Sequence, residues 1–260
     1  MSFQRSPLRV GIAACALALP GLVPAAATAA TPLIFTPMQH AAGATPFFIS
    51  HGGGARNANS TSTNWSGYAA TGAKGAFTSV TTTFTQPAVT CTSGDQYSSF
   101  WVGLDGYNSN SVEQTGTEAD CVGSTPVYSA WYEMYPKFPV TYSNTVKPGD
   151  VITESVTFSG SKSYTMTITD STEGWTKTTT ASSSKGVRSS AEVIAEAPYS
   201  GGVLPLADFS KVSFSNSTVN DATLAGSNPI GIDMVSSAGA AEATTGSLSG
   251  GNFSITWNSY

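Results

Sequence analysis

Histidine is missing from most of this 260-residue chain, because His40 and His51, its only two, both precede residue 60. Cysteine is also scarce, with three residues, and charged residues make up only 10% of the chain. Without histidine, residues 60–260 cannot form a Ser-His-Asp triad, a Cys-His pair or a His-ligated metal site. We therefore expect no histidine-ligated metal in this part of the chain, and we predict no cofactor.

Charge is distributed unevenly along the sequence. All sixteen acidic residues follow residue 60, whereas three of the eleven basic residues, Arg5, Arg9 and Arg56, precede it. Residues 60–260 therefore hold eight basic and sixteen acidic side chains, a net charge of −8. Because nucleic-acid binding needs clustered Lys and Arg to neutralise phosphates, this balance argues against nucleic acid as a partner.

The first thirty residues predict an export signal. Arg5 and Arg9 precede an apolar run and then small residues, the pattern of a secretory signal peptide cleaved after Ala29 or Ala30. The apolar run is too short and too interrupted by proline to cross a membrane, and no later segment is long enough. We expect a secreted protein with no membrane partner.

Residues 31–63 are rich in Pro, Gly, Ala and Asn and show no sustained hydrophobic period. This composition predicts a prosegment or linker, and it leaves residues 64–260 as one domain. Because this leader holds Arg56, both histidines and no acid, we hypothesise that Arg56 attracts it to the acidic domain at neutral pH and that it is released at acid pH, as the carboxyl groups of the domain become protonated. A flexible spacer without such attraction is the alternative.

Two cysteines, Cys91 and Cys121, remain once Cys15 leaves with the signal peptide. An even pair in an exported protein favours a disulfide, and two free buried thiols are the alternative. A bridge across this loop would contribute about 3–4 kcal/mol.

Apolar and polar residues alternate repeatedly from residue 64 onward, and turn-forming clusters of Gly, Pro, Ser and Asp separate these segments. We predict strands at 77–84, 98–104, 127–135, 151–158, 164–168, 190–196, 212–214, 230–234 and 253–257. No convincing amphipathic helix of ten or more residues is present. Short strands at this spacing predict an all-β sandwich or barrel.

The predicted strand SAEVIAE places Glu192 and Glu196 on one face, because successive side chains of a strand point to opposite faces. Four residues of strand span roughly 13 Å, whereas the paired carboxylates of glycosidases lie about 5–10 Å apart. The two glutamates are therefore not a catalytic pair with each other. Either one of them works with a group from another strand, or both are exposed on an open face.

Other predicted strands place polar groups beside indoles. Trp101 and Asp105 share one face of FWVGLDG, Trp131 and Glu133 share one face of YSAWYEMYP, and Gln114 lies in SVEQTG. A groove lined by such groups would hold an extended polymer, either peptide or glycan. A carbohydrate-binding module and a β-sandwich glycosidase with Glu133 and Glu196 as its carboxylates thus stand beside a peptidase. Core packing of the tryptophans is a further alternative.

Six motifs occur in order along the chain: NWSGY at 64–68, FWVGLDG at 100–106, VEQTG at 112–116, YSAWYEMYP at 128–136, SAEVIAE at 190–196 and LPLADF at 204–209. Together they resemble the glutamic peptidases, or eqolisins, over residues 64–260. The resemblance implies a sandwich of two antiparallel sheets, of the concanavalin or jelly-roll type, with a concave substrate cleft. It also implies a metal-free endopeptidase that acts on polypeptide substrates at acid pH, and we expect a monomer.

The resemblance assigns the catalytic roles to Gln114, in VEQTG, and to Glu196, at the end of SAEVIAE. It implies that Glu196 activates a water molecule, while Gln114 holds that water and stabilises the oxyanion. Trp65, Trp101 and Glu133 match positions that line or support the family's cleft, and Asp105 matches an acid that supports it. Trp131 is included because it shares a strand face with Glu133. The predicted substrate-binding residues are Trp65, Trp101, Asp105, Trp131 and Glu133.

Several positions depart from the family's pattern. Glu113 precedes Gln114 where the fungal enzymes have Leu, and we expect it to be tolerated because it points to the opposite face. Glu118 and Ser129 stand where the family has Asp, and Met134 replaces an aromatic residue. These differences leave the predicted catalytic pair intact and bear on substrate preference.

Overall fold

A computed structural model describes residues 60–260, which form sixteen β-strands and one short 3-10 helix, Leu224–Ser227. The predicted signal peptide, most of the predicted prosegment and both histidines lie outside the described residues. The strands are β1 Ser60–Ser62, β2 Trp65–Thr71, β3 Ser79–Thr85, β4 Ser99–Leu104, β5 Val112–Val122, β6 Thr125–Tyr135, β7 Val140–Thr141, β8 Val151–Gly160, β9 Ser163–Asp170, β10 Trp175–Ser182, β11 Ser190–Glu196, β12 Lys211–Val219, β13 Ala222–Thr223, β14 Ile230–Val235, β15 Ala241–Thr245 and β16 Phe253–Trp257.

Side-chain alternation explains why the outer strands form. In β9, Tyr164, Met166 and Ile168 are buried, while the threonines between them are partly exposed. β3 and β8 show the same alternation of buried and partly exposed positions. Because β-branched residues suit a pleated, half-buried surface, these Thr- and Val-rich segments are stable as strands with one face on the core.

Fourteen of the sixteen strands follow one hydrogen-bonded path, and every neighbouring pair along it is antiparallel. Its order is β10, β9, β8, β3, β12, β16, β15, β14, β2, β11, β4, β5, β6 and β7. The other two lie off this path: β1 pairs in parallel with β14, and β13 pairs with β12. The path folds back on itself, because β4 and β5 contact β8 and β9 without hydrogen bonding to them. The predicted all-β antiparallel sandwich is confirmed.

Two apolar clusters stabilise the sandwich. The larger one lies between the layers and contains the contacting rings of Phe84, Phe100 and Phe214, with centroids 6.0 Å and 5.3 Å from that of Phe84. The smaller one covers the opposite face of β2, β11 and β4 and includes Trp65, Trp101 and Ile194. Each face of β11 packs against one of these two clusters, so all seven of its residues are buried.

The strand predictions at 98–104, 190–196, 230–234 and 253–257 agree closely with β4, β11, β14 and β16. No predicted range corresponds to β1, β2, β7, β10, β13 or β15, and β5 is indicated only by the motif SVEQTG. β2 is buried along six of its seven residues, so it lacks the alternation that marks a half-buried strand. β10 reads WTKTTTAS and has too few apolar residues to show a pattern.

The predicted bridge between Cys91 and Cys121 is present, with the two Cα atoms 5.4 Å apart. It joins the segment before β4 to β5, thirty residues further along the chain. Within residues 60–260, no helix is long and apolar enough to span a membrane.

Candidate active site

β11, β4, β5 and β6 lie side by side and present three rows of residues on one face, which we call the three-row block. The first row is Glu192, Gly103, Gln114 and Glu133; the second is Ile194, Trp101, Gly116 and Trp131; the third is Glu196, Ser99, Glu118 and Ser129. The first row carries carboxyl and amide groups, the third row carries carboxyl and hydroxyl groups, and the middle row is apolar. Gln114 and Glu196 therefore lie diagonally across a row dominated by indoles.

Glu196 is buried and receives a hydrogen bond on each carboxyl oxygen. The indole Nε1 of Trp101 donates to Oε2 at 2.8 Å, and the amide Nδ2 of Asn64 donates to Oε1 at 3.1 Å. Donors directed at a carboxyl group favour its charged form, and a fixed carboxylate is what a general base requires.

Gln114 is held by Glu133, its neighbour across the β5–β6 pair. Its Nε2 donates to Glu133 Oε2 at 2.8 Å, and both side chains are fully buried. This bond places the Gln114 Nε2 on the side of Glu133 and its carbonyl oxygen on the other side. A residue of β6 therefore determines the orientation of the Gln114 amide.

Three buried indoles pack together around the middle row. Trp65 and Trp101 meet edge to face with ring centroids 5.0 Å apart. A Cβ atom on Gly116 would lie 2.6 Å from the Cβ of Trp101 and 2.9 Å from Cζ2 of Trp131, so only glycine allows this approach. The alternative that these tryptophans are core residues is thus correct for their packing, and Trp101 in addition contacts Glu196.

Glu192 shares the face of Glu196 but has a different environment. Its Oε1 accepts the backbone N–H of Tyr107 at 3.3 Å, and its carboxyl group is fully buried. Burial raises the pKa of Glu192 well above its ordinary value, although a hydrogen bond from Ser190 opposes the shift. Because neither glutamate of β11 is exposed, the alternative of an open, solvated face is wrong.

Asp105, one of the predicted substrate-binding residues, accepts hydrogen bonds from backbone. Its Oδ2 accepts the N–H groups of Val187 and Arg188 at 2.7 Å and 2.6 Å, and its Oδ1 accepts that of Ser189 at 2.9 Å. These three residues lead directly into β11. Asp105 therefore connects the end of β4 to the start of the strand that carries Glu196.

Buried acids surround the three-row block. Glu118 lies in the row of Glu196, and burial raises the pKa of Glu118 and of the nearby Asp120 well above their ordinary values. Glu113 points away from Gln114, as expected, but it is buried in the core rather than exposed, and burial raises its pKa to about 8. At acid pH these groups are protonated and uncharged.

Sequence reasoning placed Asn64 inside the motif NWSGY without assigning it a role. The structure places its amide on Glu196, and its backbone carbonyl accepts the N–H of Ala197 at 2.9 Å. The sequence shows only an amide side chain beside a tryptophan of this motif. That pattern is too common to predict a contact with a residue 132 positions away.

Six of the seven predicted site residues lie in or beside the three-row block, and the seventh, Asp105, follows the end of β4 and contacts the segment that leads into β11. Across the described range, no three His, Cys, Asp or Glu side chains are arranged so that they could hold a metal ion.

The chain is similar in sequence and fold to known peptidases. Aspergillopepsin-2 of Aspergillus niger is 31% identical over 191 residues, which cover 64% of this chain and 66% of that protein, slightly less than two thirds of its length. A crystal structure of scytalidoglutamic peptidase with a peptide-based transition state analog matches 75% of this chain and 98% of its own, at 27% identity and a TM-score of 0.65. Aspergilloglutamic peptidase from Aspergillus niger matches 63% of this chain and 99% of its own, at 28% identity and a TM-score of 0.53. The profile of the Peptidase A4 family matches residues 63–257, so the chain belongs to that family of glutamic peptidases.

Proposed function

We propose that this member of the glutamic peptidases is a secreted, metal-free endopeptidase that cleaves polypeptides at acid pH with Gln114 and Glu196 as its catalytic residues. The observation that carries the proposal is the environment of Glu196, a buried carboxyl group with the N–H donors of Trp101 and Asn64 on its two oxygens. Gln114 projects from the same face, and Glu133 holds its amide in a single orientation.

These groups suffice for hydrolysis of a peptide bond by water. Glu196, as a carboxylate, accepts a proton from water while the water oxygen attacks the carbonyl carbon. The carbonyl oxygen becomes an oxyanion. Glu196 then transfers the proton to the leaving nitrogen as the C–N bond breaks, which restores the carboxylate and releases an acid and an amine.

Gln114 supplies the electrostatic part of this mechanism. Its amide nitrogen carries two hydrogens, so it can donate to Glu133 and also to the oxyanion in the transition state. A single donor of this kind commonly contributes about 3–4 kcal/mol, or a factor of roughly 10²–10³ in kcat.

The surroundings of the site favour acid pH. Glu192 and Glu118 lie in the two outer rows, and burial raises the pKa of both carboxyl groups. As pH rises through these values, negative charges would form close to Glu196 and oppose the build-up of charge on the oxyanion. The enzyme is therefore most effective while these neighbours are protonated.

Substrate runs across the middle row, between Gln114 and Glu196. On a flat sheet their Cα atoms would be about 16 Å apart, since they lie two strand spacings apart sideways and four residues apart along the strand. The two side chains project from the same face, on either side of the middle row that contains Trp101. A water and a peptide bond held there would contact both. The family does not favour the glycan-binding alternatives.

The test compares Glu196→Gln and Gln114→Ala with the unchanged protein on an acid-unfolded protein substrate. Both variants should lose at least about 10²-fold in kcat/KM, and mass spectrometry of wild-type products should show internal cleavages. Glu173→Gln is the matched control, because Glu173 is exposed and contacts only Lys147 at 2.8 Å through its side chain. Full activity in folded Glu196→Gln, or inhibition of the wild type by EDTA, would contradict the proposal.

A further inference from the structure

Asn64 connects Glu196 to the first strand of the described chain. Its Nδ2 donates to Glu196 Oε1 at 3.1 Å, and its Oδ1 accepts a hydrogen bond from the hydroxyl of Ser62, also at 3.1 Å. An amide whose oxygen already accepts a hydrogen bond must present its nitrogen at the other end. Ser62 thereby determines that the group facing Glu196 is a donor.

Ser62 is itself held in place. β1 pairs in parallel with β14, with Ser62 opposite Met234. The Ser62 hydroxyl also accepts the backbone N–H groups of Asn64 and Trp65, at 3.3 Å and 3.2 Å. Two backbone N–H donors on one side and one acceptor, Asn64 Oδ1, on the other leave the hydroxyl a single useful orientation, so β14 positions Ser62 and Ser62 positions Asn64.

The other side of Asn64 is attached to the catalytic strand. Its backbone carbonyl accepts the N–H of Ala197, the residue after Glu196, at 2.9 Å. Asn64 is 1% exposed, so its amide is shielded from water that could replace these contacts. The backbone bond fixes the distance between Asn64 and Glu196, and the side-chain bond fixes the direction of the carboxyl group.

We propose that Asn64, oriented by Ser62, is a positioning residue that holds the Glu196 carboxylate in its productive orientation and favours its charged form. This inference rests on the proposed catalytic role of Glu196. It also gives β1 a function in the mature enzyme, because removal of residues 60–62 would release the amide of Asn64.

The other ionisable groups that face Glu196 are few among the described residues. Glu192 lies on its own strand, Glu118 on β5 and Glu133 on β6, and the facing residues of β2 and β4 are Trp65, Ser99 and Trp101. None of the three carboxyl groups changes in the variants below. A change in the acid limb of the pH profile can thus be assigned to the loss of the Asn64 donor.

The experiment measures kcat and KM against pH for Asn64→Ala, Ser62→Ala and Ser62→Thr, together with the melting temperature of each. Asn64→Ala should lower kcat at least tenfold with little change in KM, and the acid limb should move up by about one pH unit, because the carboxylate loses a stabilising donor. Ser62→Ala should change kcat and the acid limb in the same directions but by less. The Asn64 amide is still present in that variant and loses only the hydrogen bond that orients it. Ser62→Thr keeps the hydroxyl and should retain wild-type behaviour.

Asn258→Ala is the matched control, since Asn258 is exposed and bonds only to Thr244 at 2.7 Å through its side chain. An unchanged acid limb and kcat in folded Asn64→Ala would overturn the inference, as would wild-type behaviour of Ser62→Ala. If Asn64→Ala fails to fold, Ser62→Ala decides, because it keeps Asn64 and its backbone bond. Activity of Glu196→Gln would instead overturn the proposed function, so the two failures are distinct.

Discussion

Gln114 lies in register with Glu192, with only Gly103 between them, whereas Glu196 is four residues further along β11. Gly103 has no side chain to separate the two, and a Cβ there would lie 3.3 Å from the Cβ of Gln114. Register alone would therefore pair Gln114 with Glu192 and not with Glu196, the glutamate proposed to be catalytic. The hydrogen bonds distinguish them, because Glu196 accepts side-chain donors on both oxygens and Glu192 accepts one backbone N–H.

Glu192→Gln should retain activity within about threefold of the wild type at acid pH. Burial raises the pKa of Glu192, so the carboxyl group is protonated there and Gln is a neutral substitute of the same shape. Activity should also persist to higher pH than in the wild type, because no charge forms beside Gln114. Loss of activity comparable with that of Glu196→Gln would mean that Glu192 is the catalytic carboxylate. The measurement is kcat/KM against pH for both variants.

Trp101→Phe should lower kcat/KM by about ten- to a hundredfold. Phenylalanine keeps a ring in the middle row but removes the Nε1 donor, and a hydrogen bond to a charged group is worth about 1.5–3 kcal/mol. Trp257→Phe is the control, because the Trp257 indole is far from the block in sequence and its Nε1 has no hydrogen-bond partner in the described structure. Equal activities of the two variants would show that the bond to Glu196 does not contribute to turnover.

Asp105→Asn should destabilise the fold by about 2–4 kcal/mol. The carboxylate accepts three backbone N–H groups at the entry to β11, and an amide offers one acceptor oxygen in place of two. Asn tolerates the left-handed backbone of Asp105, whose φ is 71°, so the substitution tests the charge and not the conformation. Asp221→Asn, exposed and with φ of 64°, is the matched control. Denaturant unfolding of both variants measures the difference.

Stability should fall as pH rises from about 4.5 to 8. Glu113, Glu118, Asp120, Glu154 and Glu192 are buried, and burial is the largest cause that raises the pKa of each, in Glu113 from 4.5 to about 8. A raised pKa means that the folded state binds more protons than the unfolded state. The stabilisation is therefore complete below the unfolded pKa and is lost as pH rises through the folded pKa. The rise from 4.5 to about 8 in the pKa of Glu113 alone corresponds to a loss of about 5 kcal/mol.

Glu154→Met isolates one of these contributions. Glu154 faces the core of β8, is fully buried, and neither of its carboxyl oxygens has a hydrogen-bond partner in the described structure. Methionine has a similar volume and cannot ionise, so the melting temperature of the variant should depend less steeply on pH between 5 and 8. Glu173→Gln, at the surface, should leave the slope unchanged. A slope equal to the wild type in Glu154→Met would refute the role of buried carboxyl groups.

Much of the fold was predictable from local pattern. Half-buried strands such as β9 alternate visibly, because water on one face and core on the other select different residues at successive positions. The Cys91–Cys121 bridge followed from cysteine count and export. The face shared by Glu192 and Glu196 followed from the period of a strand, and ordered motifs indicated the family.

The sequence did not predict burial on both faces, which is why β2 was missed and why Glu192 and Glu196 could be read as exposed. Burial depends on which elements cover a strand, and those elements come from distant parts of the chain. The prosegment boundary at residue 63 stays a prediction. β1 pairs with β14 within that range, and this supports a mature chain that keeps residues 60–62.

By itself, the sequence determined the residue types and their faces: an all-β chain with no histidine after residue 51, two glutamates on one side of a strand and an amide in VEQTG. Only the tertiary structure decided which glutamate receives the donors of Trp101 and Asn64, and that Glu133 holds Gln114. The physical reason is that a hydrogen bond requires atoms within about 3 Å, and strand register and packing alone bring together residues that are 132 positions apart.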